Sequence, residues 1–214
     1  MLKRFLLGSA VFTLTSVLGA TTLITGTPNL SGGSSGTPTG LSPKFGTLIN
    51  FDNLTPLSLL SPGAYASSGV TSISAINSTT ALSAEPYSGQ TQPNYIGPAD
   101  FSNVDILISF TQPTNEIGIG LLAGTSNTFT LIARDAANAI LGSYTVNVPS
   151  DGVQAFNGYY AIQDTGWTIK SLEISGNGGI DDLQFNPAPE PATLAFLGSG
   201  VALLGIFSKY RRKL

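Results

Sequence analysis

The chain contains no cysteine and no histidine. The first absence excludes disulfides, thiol nucleophiles and thiolate metal sites. The second removes imidazole ligands and every catalytic dyad or triad built on imidazole. A metal site in this chain must use oxygen ligands, which favours hard cations such as calcium. Charge is scarce as well: 10% of the 214 residues are charged and 42% are hydrophobic. The bulk of the chain is therefore no acidic disordered tail, and it has the material for one domain with a real core. Basic residues are nearly missing from the middle. Between residues 27 and 208 only Lys44, Arg134 and Lys170 stand against all 12 acids, a balance of −9. Such a body repels phosphate backbones, which argues against a nucleic-acid partner. The other basic residues sit at the two ends, each group beside an apolar stretch, and that arrangement belongs to membrane topology.

At the N-terminus, Lys3 and Arg4 precede an apolar run from Phe5 to about Leu18. A short basic region followed by about 7–15 apolar residues is the pattern of a secretory signal peptide. The segment assigned to it is 1–26, with a cut after Gly19, after Ala20 or near Gly26. Residues 27–44 are rich in Gly, Ser, Thr and Pro and read as a flexible linker.

The C-terminus is the most specific part of the chain. Pro189-Glu190-Pro191 is followed by an uncharged, apolar stretch from Ala192 to Ser208, and then by Lys209, Arg211, Arg212 and Lys213. As a helix that stretch covers roughly 25 Å, close to the ~30 Å hydrocarbon core of a bilayer. The terminal basic cluster acts as the membrane stop and keeps the last residues cytoplasmic. The two prolines hold the preceding peptide extended and delay the helix start. Glu190 is the one charge there, so it is the natural specificity handle for a processing enzyme.

Tripeptide, apolar helix and basic end, in that order over 187–214, resemble the PEP-CTERM sorting signal of exported bacterial proteins. The resemblance implies export by the general secretion machinery, transient anchoring in the inner membrane and cleavage by an exosortase. It also implies a mature domain that is periplasmic, on the cell surface or extracellular, in bacteria that make exopolysaccharide.

Between the ends, residues 45–186 carry short β-like runs separated by turn residues. They are Leu48–Phe51, Val70–Ile76, Val104–Phe110, Glu116–Leu122, Thr128–Arg134, Gly142–Val148, Tyr159–Ile162, Thr168–Ser175 and Ile180–Phe185. Gln112-Pro113-Thr114-Asn115 and Gly176-Asn177-Gly178-Gly179 read as turns. No segment holds a helical period for ten residues, so the expected class is all-β, a sandwich or barrel, flanked by a signal helix and a transmembrane helix. The body also resembles a jelly-roll-like antiparallel β-sandwich common in PEP-CTERM proteins. The matching stretches are Ile49–Leu54, Glu116–Gly120, Leu131–Asn138 and Gly179–Phe185. Related sandwiches include carbohydrate-binding modules, so a module that recognises an extracellular polysaccharide is the alternative function.

Three acids stand out. Asp181 has the parity of Leu183 and Phe185, which directs it inward or places it at the strand entrance, and an uncompensated buried carboxylate is costly. First and last strands are often neighbours in jelly rolls, which brings Asp52 near it. Asp52 and Asp181, with Asp182 and backbone carbonyls, form a candidate structural calcium site. The competing reading is that these carboxylates cap turns through local hydrogen bonds. Tyr87 and Tyr95, in the Pro/Gly/Gln-rich stretch from Glu85 to Ala99, are the candidate glycan contacts. An enzyme is disfavoured: the Ser-x-x-Lys pattern and a close Glu-x-Asp-x-x-Glu pair are missing, which leaves only two carboxylates from distant strands as a route to a glycosidase site. Gly118-x-Gly120-x-x-x-Gly124 has the wrong spacing for a dinucleotide loop and reads as a strand packed against small residues.

Overall fold

A computed structural model describes residues 21–26, 46–76, 78–86, 94–99, 105–123, 127–148 and 156–188. They form eleven strands: β1 (Thr21–Gly26), β2 (Thr47–Ile49), β3 (Val70–Ile76), β4 (Leu82–Pro86), β5 (Asn94–Pro98) and β6 (Asp105–Leu122), followed by β7 (Asn127–Arg134), β8 (Ile140–Val148), β9 (Phe156–Asp164), β10 (Ile169–Ser175) and β11 (Gly179–Pro187). Every strand pair is antiparallel, and the described residues hold no α-helix beyond a single 3-10 turn, Ala66–Ser68. The all-β expectation holds for the described residues. Both expected helices fall outside them.

The sheet is continuous because β6 serves two sets of neighbours. Its first part, Asp105–Phe110, lies between β3 and β10, and the order continues through β7 to β8. Its second part lies between β9 and β11; β9 is flanked in turn by β1, and β11 by β2 and β5. Ile106, Ile108 and Phe110 from the first part share one apolar core with Ile117, Ile119 and Leu121 from the second. The rings of Phe110 and Phe185 meet at 5.0 Å between centroids. The sheet therefore doubles over on itself, and one core fills the space between its halves, as in a sandwich.

Sequence alternation explains the first half. From Asp105 to Phe110 every second residue is buried and the intervening ones are partly exposed, the pattern of a strand with one face on the core. From Ile117 to Leu122 the alternation is lost, and all six residues are buried. A second layer covers the outer face there, where Tyr95, Leu122 and Tyr159 make a small apolar cluster separate from the main core.

Four features depart from the sequence reading. Gln112–Asn115 is no turn; it stays inside β6. Thr114 is fully buried, donates to the carbonyls of Glu116 and Asn186, and accepts from the Asn186 amide at 3.1 Å. Those bonds pin an irregular stretch onto β11 where the turn residues suggested a break. Second, β4 and β5 form a hairpin in a region too rich in Pro, Gly and Gln to show alternation. Third, Thr21–Gly26, assigned from sequence to the end of the signal peptide, is a strand paired with β9 along its whole length, from Thr21↔Asp164 to Gly26↔Tyr159. Fourth, the Gly176–Gly179 turn is shorter than expected, because Gly179 already belongs to β11. Gly178 has no room for a side chain, since a Cβ would overlap the Leu122 carbonyl and press on the Phe129 ring.

Candidate functional site

The acids singled out from sequence meet at an irregularity in β11. Against β6, Asp181 pairs with Gly120 and Gln184 with Gly118, so β11 spends one residue more than its partner. Asp182 takes a left-handed backbone, φ 46°, to accommodate the extra residue. The bulge changes the parity. Ile180, Leu183 and Phe185 belong to the main core. Asp181 sits in the row Asp181–Gly120–Tyr159 instead, on the face opposite the core residues Ile119 and Leu121. The inward direction inferred from its spacing with Leu183 and Phe185 is thus corrected. Asp181 is nevertheless only 2% exposed, because the second layer covers that face.

The free side of β11 also changes partner at the bulge. Ile180 pairs with Ile96 of β5, and Leu183 to Phe185 pair with β2. First and last strands of the body are therefore neighbours, as expected, and the chain after β2 brings Asp52 to the junction. Phe51 turns with φ 56°, the Leu54 amide bonds back to its carbonyl, and Asp52 is presented to β5. One Asp52 oxygen accepts the Asn94 amide at 2.9 Å and the other accepts Asn50 Nδ2 at 2.9 Å. Asn94 Nδ2 donates to the Leu54 carbonyl, and the Tyr65 hydroxyl donates to Asn53 Oδ1 at 2.8 Å. Asp181 Oδ1 accepts the Asp182 amide at 2.7 Å, and the Tyr159 hydroxyl donates to the Asp182 carbonyl. Tyr159 reaches β11 over Gly120, which has no side chain to obstruct it.

Two tyrosines report the local field. Burial raises the Tyr65 hydroxyl to about 12, assisted by the negative charges of Asp52 and then Asp181. Burial raises Tyr159 further still, with Asp182 and Asp181 adding to it. Asp181 contributes to the shift at both rings. Burial also raises Tyr160 on the opposite face.

The junction brings Asp52, Asp181 and Asp182 into one neighbourhood. Among the described residues no group of three or more His, Cys, Asp or Glu side chains is arranged to hold a metal ion. Asp181 accepts a local backbone amide, as in the turn-capping role weighed from sequence, whereas Asp52 is held by Asn50 beside it and by the amide of Asn94, which is distant in sequence. Sequence reasoning missed Asn94 and Tyr159 as members of the cluster. Asn94 is fully buried and opens a strand that lacks alternation, and Tyr159 joins only through cross-strand register.

Tyr95 is corrected as a glycan contact. It is 5% exposed, packs with Leu122 and Tyr159, and crowds Gly179 so closely that a Cβ there has no room. Tyr87 lies outside the described residues, as do Pro189, Glu190, Pro191, Lys209, Arg211, Arg212 and Lys213. Among the described residues no helix is long and apolar enough to cross a membrane, and residues 192–208 are not among them.

No family model and no curated protein matches the chain. Among solved structures, the enzymatically active domain of tailspike protein 4 from bacteriophage CBA120 is similar at a TM-score of 0.34 and 14% identity. The match covers 62% of this chain and 22% of that one. A likeness at that score decides neither fold nor activity.

Proposed function

We propose that the chain is an exported, non-enzymatic cell-surface or extracellular-matrix protein of the PEP-CTERM kind, with a jelly-roll-like ectodomain. General secretion machinery carries it across the inner membrane. The apolar segment 192–208 holds it there with Lys209, Arg211, Arg212 and Lys213 on the cytoplasmic side. An exosortase then cuts at Pro189-Glu190-Pro191, and the released domain associates with exopolysaccharide. The observation that carries the reading is the order of tripeptide, apolar run and basic end at 187–214. The fold is compatible with that division of labour. β11 ends at Pro187, and the Ala188 amide bonds to the Pro113 carbonyl at 2.7 Å, so the last described strand stops just before the tripeptide.

The test is fractionation of cells making the full chain in a host that has an exosortase. The expected result is a released form lacking the C-terminal segment. With Glu190→Ala, or in the host without exosortase, most of the chain stays full-length in the inner membrane. Full-length protein soluble in the cytosol in all cases overturns the proposal.

A structural calcium at Asp52, Asp181 and Asp182 is part of the same proposal: Asp52 is tied to β5, which pairs with β11 next to Asp181, and an ion would have to draw the three carboxylates together. Extracellular calcium modules bind in the range of about 0.1–1 mM. At about 5 mM calcium such a site adds about 1–2 kcal/mol to the unfolding free energy by mass action. Calorimetry of the released domain should therefore show a higher melting temperature in calcium than in chelator, and Asp181→Asn should abolish the difference. Identical melting in calcium and in chelator removes the ion from the account and leaves the acids as turn caps.

A further inference from the structure

Thr21–Gly26 carries an unexpected load for a segment next to a signal peptide. All six residues pair with β9 and cover its outer edge. Without β1 that edge offers a row of unpaired backbone groups, the feature by which sheets aggregate. The first residue is also fitted individually. Thr21 Oγ1 donates to the Leu141 carbonyl at 3.1 Å and lies 2.8 Å from the Tyr144 hydroxyl. Gly142 leaves room for this fit, because a Cβ there would overlap Thr21 Oγ1 and crowd the Tyr144 ring. A cut near Gly26 would discard all of this.

A second observation lies directly across the ladder. Asp164, the register partner of Thr21, is 1% exposed. Its Oδ2 accepts the amide and hydroxyl of Thr168, both at 2.8 Å, whereas its Oδ1 is buried with no hydrogen-bond partner. An unsatisfied buried carboxylate oxygen is costly.

We propose that the leader is removed between Ala20 and Thr21, and that the α-ammonium created on Thr21 is the partner of Asp164. The inference rests on the export reading. Hydrolysis by a signal peptidase consumes one water, leaving a carboxylate on Ala20 of the leader and an ammonium on Thr21 of the mature chain. Ala20 supplies the small residue that such enzymes take before the cut. Processing then both frees β1 at its outer end and delivers a cation beside a buried carboxylate oxygen that lacks a hydrogen-bond donor. Nearby, the Tyr144 hydroxyl lies against Thr21 Oγ1, and Glu116 is held by Gln163 Nε2 at 2.7 Å.

The experiment begins with N-terminal sequencing of the exported protein from the cell envelope, and Thr21 is the expected first residue. A chain that retains Met1 overturns the export reading together with this proposal. A cut beyond Thr21 overturns this proposal alone. The second readout is the pH dependence of α-amine labelling on the exported protein. In the natural chain the α-amine titrates above its ordinary value of about 8, and Asp164→Asn lowers the midpoint by about one pH unit. Asn retains an acceptor for Thr168, so the variant keeps that turn. An α-amine that titrates identically in both proteins overturns the pairing even if Thr21 is the first residue.

Discussion

Phe185→Ala costs the domain about 3–5 kcal/mol of unfolding free energy, measured by chemical denaturation. Phe185 is fully buried near the end of β11, pairs across the sheet with Ile117 and Thr47, and packs against Phe110 from the other half of β6. Its removal leaves a hole between two halves that share a single core, and neighbours anchored in paired strands have little freedom to collapse into it. Domains of this size are stable by only about 5–15 kcal/mol, so the variant loses a large part of the margin. Phe110→Ala should be similarly severe. The double variant should cost less than the sum of the two, because both truncations empty the same space. A loss below about 1 kcal/mol for Phe185→Ala would mean that the two halves do not pack face to face at this point.

Alkali should unfold the domain cooperatively above about pH 10. Tyr65 is held protonated up to about 12, and Tyr159 and Tyr160 are also raised. In the unfolded chain the same hydroxyls ionise near their ordinary value of about 10. Above that pH the unfolded state binds fewer protons than the folded state, so stability falls as pH rises. The stabilisation is complete below about pH 10 and, for Tyr65, is lost as the pH climbs to about 12. For Tyr159 alone the slope is about 1.4 kcal/mol per pH unit within its window. Phenolate absorbance from these rings should therefore appear together with the loss of sheet signal in circular dichroism. Tyr159→Phe removes one titrating proton and makes the stability curve shallower. A gradual rise in absorbance with the sheet intact would show that these hydroxyls are open to solvent.

The strands that alternate were legible from sequence, and those governed by long-range partners were not. Val70–Ile76 was recognised at its full extent because apolar and small polar residues alternate. Asn127–Arg134 and Ile169–Ser175 were recognised to within one residue at their starts. The Gln112–Asn115 stretch misled because its turn preference is local, whereas Thr114 is held by Asn186, 72 residues away. β1 and β5 carry no pattern of their own and are strands only because β9 and β4 pair with them. At the acid cluster, the closeness of Asp52 to β11 followed from neighbouring first and last strands. The orientation of Asp181 did not, because one inserted residue at the bulge reverses the alternation on which the inference stood. Tyr95 defeats sequence reading for the same kind of reason: its surroundings in sequence are polar, but Leu122 and Tyr159 come from other strands.

The last strand before the tail is also one of the best connected. β11 binds β2, β5 and β6, so its pairings reach back to Thr47. A polypeptide synthesised from its N-terminus cannot close this architecture until residue 185 has been made, and contacts so distant along the chain form slowly. The described sheet consequently stays open until nearly all of its residues have been made, and its closure waits for the strand among them that is synthesised last.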